Sequence, residues 1–150
     1  MGRFFEDHGW VIYLALGVLW LVVGLYQTFY PYELLRDDSE RVLDMSWNEL
    51  EDSNPQAADL VLYVYGGMGL LKISWSVFVM IIAYTSFRAG ELWAFYTLCS
   101  VPVLLVALAI FNAWFFDDVS EMLEFVPITT LSVLGLVLPF RKFFPKEQQG

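Results

Sequence analysis

The sequence predicts an all-α fold: a bundle of four transmembrane helices with N and C termini cytoplasmic and a small extracytoplasmic cap between helices one and two. Three observations carry this reading. The 150 residues are 58% hydrophobic and only 17% charged, where a soluble domain averages about 45–50% apolar and about 25% charged. The apolar residues gather into four runs, 10–30, 60–84, 92–115 and 123–140, and each is close to the ~20 residues needed to cross a ~30 Å hydrocarbon core. The basic residues divide unevenly between the two sets of loops those runs create. The whole chain reads as one integral membrane domain.

Each run is read as a helix, because lipid offers no partner to an unpaired backbone group and no run alternates with the two-residue period of a barrel strand. The first run is too long for the apolar core of a signal peptide. It ends at Thr28-Phe29-Tyr30-Pro31 without a small-x-small cleavage site, so it reads as a retained helix stopped by Pro31. Residues 31–54 form the one sizeable loop. Within it Ser46-Trp47-Asn48-Glu49 fits a capping box at the start of a short helix. Asn54-Pro55 fits an N-cap followed by proline at the first helical position, so the second helix begins there and stands above the membrane before Tyr63. Leu34, Leu35, Val42, Leu43, Met45 and Trp47 give the loop an apolar side, suited to a cap lying on the helices. The third run holds Pro102, which predicts a kink. The fourth is the shortest, with Pro127 and Pro139 near its ends.

With four crossings, Arg3, Arg88, Arg141, Lys142 and Lys146 share one side. The other side carries Arg36 and Arg41 against Glu33, Asp37, Asp38, Glu40, Asp44, Glu49, Glu51, Asp52 and Asp59, with Asp117, Asp118, Glu121 and Glu124 in the second loop there. The excess of Lys and Arg marks the cytoplasmic face. Trp10, Tyr84 and Trp93 then anchor the inner interface, and Tyr26, Tyr30, Tyr32, Tyr63 and Trp114 the outer one. The acidic outer face reads as solvated carboxylates, since Asp37-Asp38-Ser39-Glu40 lacks the glycine-turned loop of a calcium site.

Composition closes several functional classes. A single cysteine, Cys99, forms no intramolecular disulfide or CxxC motif, and a single histidine, His8, supports neither bis-histidine haem ligation nor a histidine-rich metal site. A net charge of −9 argues against nucleic acid as a partner. Phosphate-cradling glycine loops, a GxSxG elbow and HExxH are missing from the sequence. No cofactor or metal is expected.

The polar residues inside the spans are the candidate site, because lipid makes them costly. Lys72 is the foremost, about seven residues, or ~10 Å, below the outer surface. Gln27, Asn112 and Glu124 fall in the same outer half on the other three helices, and a Lys72–Glu124 pair flanked by Gln27 and Asn112 would satisfy all four. Tyr65, Gly69, Lys72 and Ser76 recur at helical spacing and share one face, and Tyr65 or Trp75 would wall an outer-half pocket. The competing reading is a Lys72 that snorkels or serves structure alone. The glycines of Gly66-Gly67-Met68-Gly69, like Gly17 and Gly24, are accounted for by close helix packing.

Phe87-Arg88-Ala89-Gly90-Glu91-Leu92-Trp93-Ala94-Phe95 resembles the cytoplasmic turn of small four-helix membrane proteins of bacteria and archaea, in which an Arg-x-Gly-Glu-x-Trp-Ala stretch joins helices two and three. The first helix, Gly17-Val18-Leu19-Trp20-Leu21-Val22-Val23-Gly24-Leu25, looks like theirs and like that of DoxX-type proteins. The resemblance implies the four-helix layout and little about activity. Locally, Gly90 permits a tight turn, Arg88 and Glu91 can pair, and Trp93 can anchor at the interface.

Two functional readings follow. The first is a non-enzymatic membrane protein, a structural or accessory subunit whose partners are membrane lipid and another copy or another membrane protein. The second is a binding or transport module for a lipid, isoprenoid or quinone-like ligand, with Lys72, Glu124, Gln27 and Asn112 as its polar end and Tyr65 and Trp75 as walls. An enzyme using Lys72 and Glu124 as acid and base would need a reacting group within hydrogen-bond reach of both.

Overall fold

A computed structural model describes residues 2–36, 45–116 and 120–145, with side chains for 8–36, 45–115, 122–123 and 125–145. Asp37, Asp38, Glu40, Arg41, Val42, Leu43, Asp44, Asp117, Asp118 and Lys146 lie outside the described residues, as do the side chains of Arg3, Glu121 and Glu124. Among the described residues every regular element is helical. In chain order they are α1 (Gly2–Phe29), a short helical segment at 31–36, α2 (Trp47–Ser53), α3 (Pro55–Ile82) continued by a π-helical turn (Ala83–Phe87), α4 (Leu92–Leu98), α5 (Ser100–Phe116), α6 (Ser120–Val137) and α7 (Phe140–Phe143).

Four stretches are long and apolar enough to cross a membrane: His8–Phe29, Pro55–Phe87, Leu92–Phe115 and Phe125–Phe143. They match the four runs read from the sequence. At 1.5 Å per residue, the 33 residues of the second cover about 50 Å, well beyond the ~30 Å hydrocarbon core. Large apolar side chains face outward along all four, among them Val22, Leu71, Phe78, Val103 and Val133, the arrangement expected where the solvent is lipid.

Local signals set the boundaries. The Ser46 side chain accepts from the Glu49 backbone N–H, and the Glu49 carboxylate accepts from the Ser46 backbone N–H at 2.8 Å and from its hydroxyl at 2.9 Å, the capping box the sequence predicts. Asn54 Oδ1 accepts from the Ala57 N–H at 3.1 Å, and α3 starts at Pro55. The third crossing is interrupted at Cys99, between α4 and α5. Pro102 offers no N–H to the Leu98 carbonyl and its ring crowds that group, so the interruption falls in the turn before the proline. Pro127 lies inside α6, and Pro139 precedes α7.

The chain divides into two compact units, Leu19–Val77 and Met1–Val18 with Phe78–Gly150. In the first, Leu35, Trp47 and Ala58 form a small core with Leu50, Val61, Leu62 and Tyr65 against it, and Tyr32 meets Trp47 edge-on at 6.1 Å. The described part of the 31–54 loop thus folds onto the first turns of α3, as its apolar side requires. Lower on the same unit α1 and α3 meet at glycine. A Cβ on Gly69 would stand 2.8 Å from the Gly24 carbonyl oxygen and 2.8 Å from the Thr28 nitrogen, and one on Gly24 would stand 2.9 Å from the Gly69 carbonyl oxygen. Gly67 faces open space and Gly66 only approaches Thr28. Of the three clustered glycines, the close approach is therefore made by Gly69.

In the second unit the early turns of α1 pack on α6 by the same device. Gly9 lies against Pro139 and Gly135 against Tyr13, each too close for a Cβ. The fully buried Tyr13 hydroxyl donates to the Ser132 carbonyl at 2.8 Å. Phe87, Phe95, Phe140, Phe143 and Phe144 form an aromatic cluster with centroid separations of 4.7 to 6.4 Å. The turn between α3 and α4 sits beside it, with Gly90 at φ +86°, a conformation open to glycine at little cost.

The capping box makes a pH prediction. Hydrogen bonds donated by the Ser46 backbone N–H, and then by its hydroxyl, hold the Glu49 carboxyl below its ordinary value. A depressed carboxylate contributes stability above the ordinary range, near about 4.3, and loses it as pH falls through the lower folded value. Following Glu49 by carbon-detected NMR, the expected midpoint lies below that of a free glutamate, and Ser46→Ala raises it part-way because the backbone donor remains. A midpoint at the ordinary value would contradict the box.

Candidate functional site

The Leu19–Val77 unit assembles a polar node inside its apolar surroundings. Lys72 leaves α3 towards α1, and its ammonium donates to Gln27 Oε1 at 2.6 Å. The amide of Gln27 donates in turn to the Tyr65 carbonyl oxygen at 3.0 Å. The two bonds fix the amide orientation, because oxygen must face the cation and nitrogen the carbonyl. Gln27 is only 2% exposed, so this is the sole arrangement that satisfies both ends of a buried amide with these neighbours.

Lys72 Nζ also stands 5.6 Å from the centre of the Trp20 ring, within the range of a cation–π contact. Trp20 and Gln27 are seven residues, two turns, apart on one face of α1, so the ammonium is bracketed between an indole and an amide oxygen. Trp75 meets Trp20 edge-on at 6.4 Å. The buried Ser76 hydroxyl donates to the Lys72 carbonyl at 2.6 Å, and the Thr28 hydroxyl to the Gly24 carbonyl at 2.8 Å. The glycine crossing of α1 and α3 brings the two backbones close enough for the Gln27 amide to reach the backbone of α3.

Of the six residues read from the sequence as a site, the structure joins Gln27, Tyr65, Lys72 and Trp75 in one network. Tyr65 enters it through its backbone carbonyl. Asn112 and Glu124 belong to the other unit. The Asn112 amide donates to the Leu108 carbonyl of its own helix at 2.9 Å, and the Glu124 side chain lies outside the described residues. Trp20 is the member sequence reasoning missed. The available signal was its two-turn spacing from Gln27, which places an electron-rich ring on the face of α1 that already carried the amide.

The other unit has an apolar cleft of about 170 Å³ between α5 and α6, lined by Val106, Ala109, Met122, Phe125, Val126 and the two threonines Thr129 and Thr130. Among the described residues no ionisable side chain lines it. Among the described residues no three His, Cys, Asp or Glu side chains converge.

The expected Arg88–Glu91 pair does not form. Glu91 is extended at the start of α4 and its carboxylate accepts the Trp93 indole N–H. Arg88 instead lies over the rings of Trp10 and Tyr84, at 5.0 and 5.3 Å. Tyr84 is one turn earlier on the same face, and a long side chain at a helix end leans back over that turn.

Compared with protein-family models, curated proteins and solved structures, the chain matches none.

Proposed function

We propose that this chain is a non-enzymatic, multi-pass membrane protein that serves as a structural or accessory subunit. One observation supports this above the rest: the ammonium of Lys72 is engaged by Gln27 at 2.6 Å and by the Trp20 ring. The most costly side chain in the spans is thereby spent on joining α1 to α3. Several hydroxyls are likewise engaged within the protein, Ser74, Ser76, Thr85, Thr97 and Ser132 each donating to a carbonyl of its own helix. Four spans of outward-facing apolar side chains then offer surface to lipid and to other transmembrane segments. The distribution of Arg and Lys supports cytoplasmic termini, with the 31–54 cap and the acidic loops outside. The motif at 87–95 supports kinship with the small four-helix, DoxX-like membrane proteins.

Native mass spectrometry of the full chain released from mild detergent tests the assignment. The expected spectrum contains the chain with a second copy or with another membrane polypeptide. A monomer carrying one stoichiometric isoprenoid or quinone-like molecule, lost in Lys72→Met, would replace this reading with that of a binding module.

A further inference from the structure

At the end of the second unit where three spans terminate, two basic residues are joined through one backbone carbonyl. The second candidate span ends at Phe87, the third begins at Leu92 and the fourth ends at Phe143, so Arg88 and Lys142 both lie at the boundary of the apolar region. Lys142 Nζ donates to the Arg88 carbonyl oxygen at 2.5 Å. Its stem lies against Gly90, where a Cβ would stand 3.2 Å from Lys142 Cε. The positive φ of Gly90 and its lack of a side chain together keep that path open. The Arg88 guanidinium carbon stands 5.0 and 5.3 Å from the centres of the Trp10 and Tyr84 rings, which meet edge-on at 5.8 Å. Such ring contacts use the charge of a guanidinium, while its N–H donors remain suited to a phosphate or carboxylate. Glu91, the nearest carboxylate in sequence, is taken by Trp93. Among the described residues no carboxylate pairs with Arg88 or Lys142.

Among the described side chains neither cation meets a carboxylate, and the fold holds both at the boundary of the apolar region. Trp and Tyr favour the headgroup level of a bilayer. A phosphodiester there can take two N–H bonds from the guanidinium edge and the charge of the ammonium, and basic pockets between transmembrane helices are the known geometry for acidic headgroups. From this juxtaposition we propose that Arg88 and Lys142, framed by Trp10 and Tyr84, form a binding site for the phosphate headgroup of an anionic phospholipid. The site is independent of Lys72.

The test is native mass spectrometry of the full chain in detergent, titrated with phosphatidylglycerol or with phosphatidylcholine. Wild type is expected to bind the first phosphatidylglycerol at least about tenfold more tightly than phosphatidylcholine. Arg88→Gln with Lys142→Gln removes that preference, Arg88→Lys keeps only part of it, and Arg141→Gln, at an exposed neighbouring cation, leaves it unchanged. Competition by inorganic phosphate at millimolar concentration, with no lipid preference, would assign the site to free phosphate and overturn the proposal. Equal binding of the two lipids by wild type would also overturn it, as would a preference that survives the double substitution. The comparison on wild type decides the matter even if the double variant does not fold.

Discussion

Replacing Gly69 by alanine is expected to cost about 3 kcal/mol, the upper end of what overpacking causes, whereas Gly67→Ala changes stability by less than about 0.5 kcal/mol. The two glycines are two residues apart on one helix and have the same intrinsic propensity. Any difference between them therefore comes from what the new methyl group meets. At Gly69 it meets the carbonyl oxygen of Gly24 and the backbone nitrogen of Thr28, both at 2.8 Å. Neither is a side chain that can rotate away, so α1 itself must move. At Gly67 there is nothing within 4 Å. Moving α1 also lengthens the 2.6 Å bond between Lys72 and Gln27, so the substitution loses packing and polar pairing together. Thermal unfolding of the purified chain in detergent measures both variants, and a Gly69→Ala protein as stable as Gly67→Ala would show that the helices do not cross there.

The parts legible in the sequence were those dictated by local chemistry. Helix α3 starts at Pro55 because Asn54 caps it, and α2 starts at Trp47 because Ser46 and Glu49 satisfy each other's backbone donors. Four helices long and apolar enough to cross a membrane followed from the length of the apolar runs. What stayed hidden were relations between segments distant in sequence. Gly66, Gly67 and Gly69 look alike in a sequence, and only the approach of α1 singles out Gly69. Lys72 was legible as a costly residue in need of a partner, and Gln27 as a polar group in the same outer half. The indole of Trp20 carried no such mark, because an aromatic residue in a transmembrane run has many ordinary uses. Arg88 and Glu91 suggested an ion pair by spacing, and the rings of Trp10 and Tyr84 drew the arginine away. The π-helical turn at Ala83–Phe87 had no sequence signal beyond its place just before the Arg88 turn.

The second large effect concerns Lys72. Lys72→Met leaves Gln27 Oε1 buried without a donor, at a cost of about 1–3 kcal/mol. Gln27→Leu leaves the ammonium with Trp20 alone, a comparable loss. Once one partner is gone, losing the other removes an unsatisfied group, so the two losses do not add. Interhelical hydrogen bonds in lipid give coupling energies of about 0.6 kcal/mol on average and at most about 1.7, and a charge-assisted bond belongs at the upper end.

The double-mutant cycle on Lys72 and Gln27, followed by unfolding of the full chain in detergent, is the most direct test that this lysine is there to hold α1 against α3. The expected result is two destabilised single variants, a double variant Lys72→Met/Gln27→Leu that recovers much of the loss, and a coupling of about 1–1.7 kcal/mol. A Lys72→Met protein more stable than wild type, with Gln27→Leu neutral and no coupling between them, would contradict it. That outcome would mean the chain retains a lysine that burdens its fold, as proteins do where a side chain is kept for a ligand.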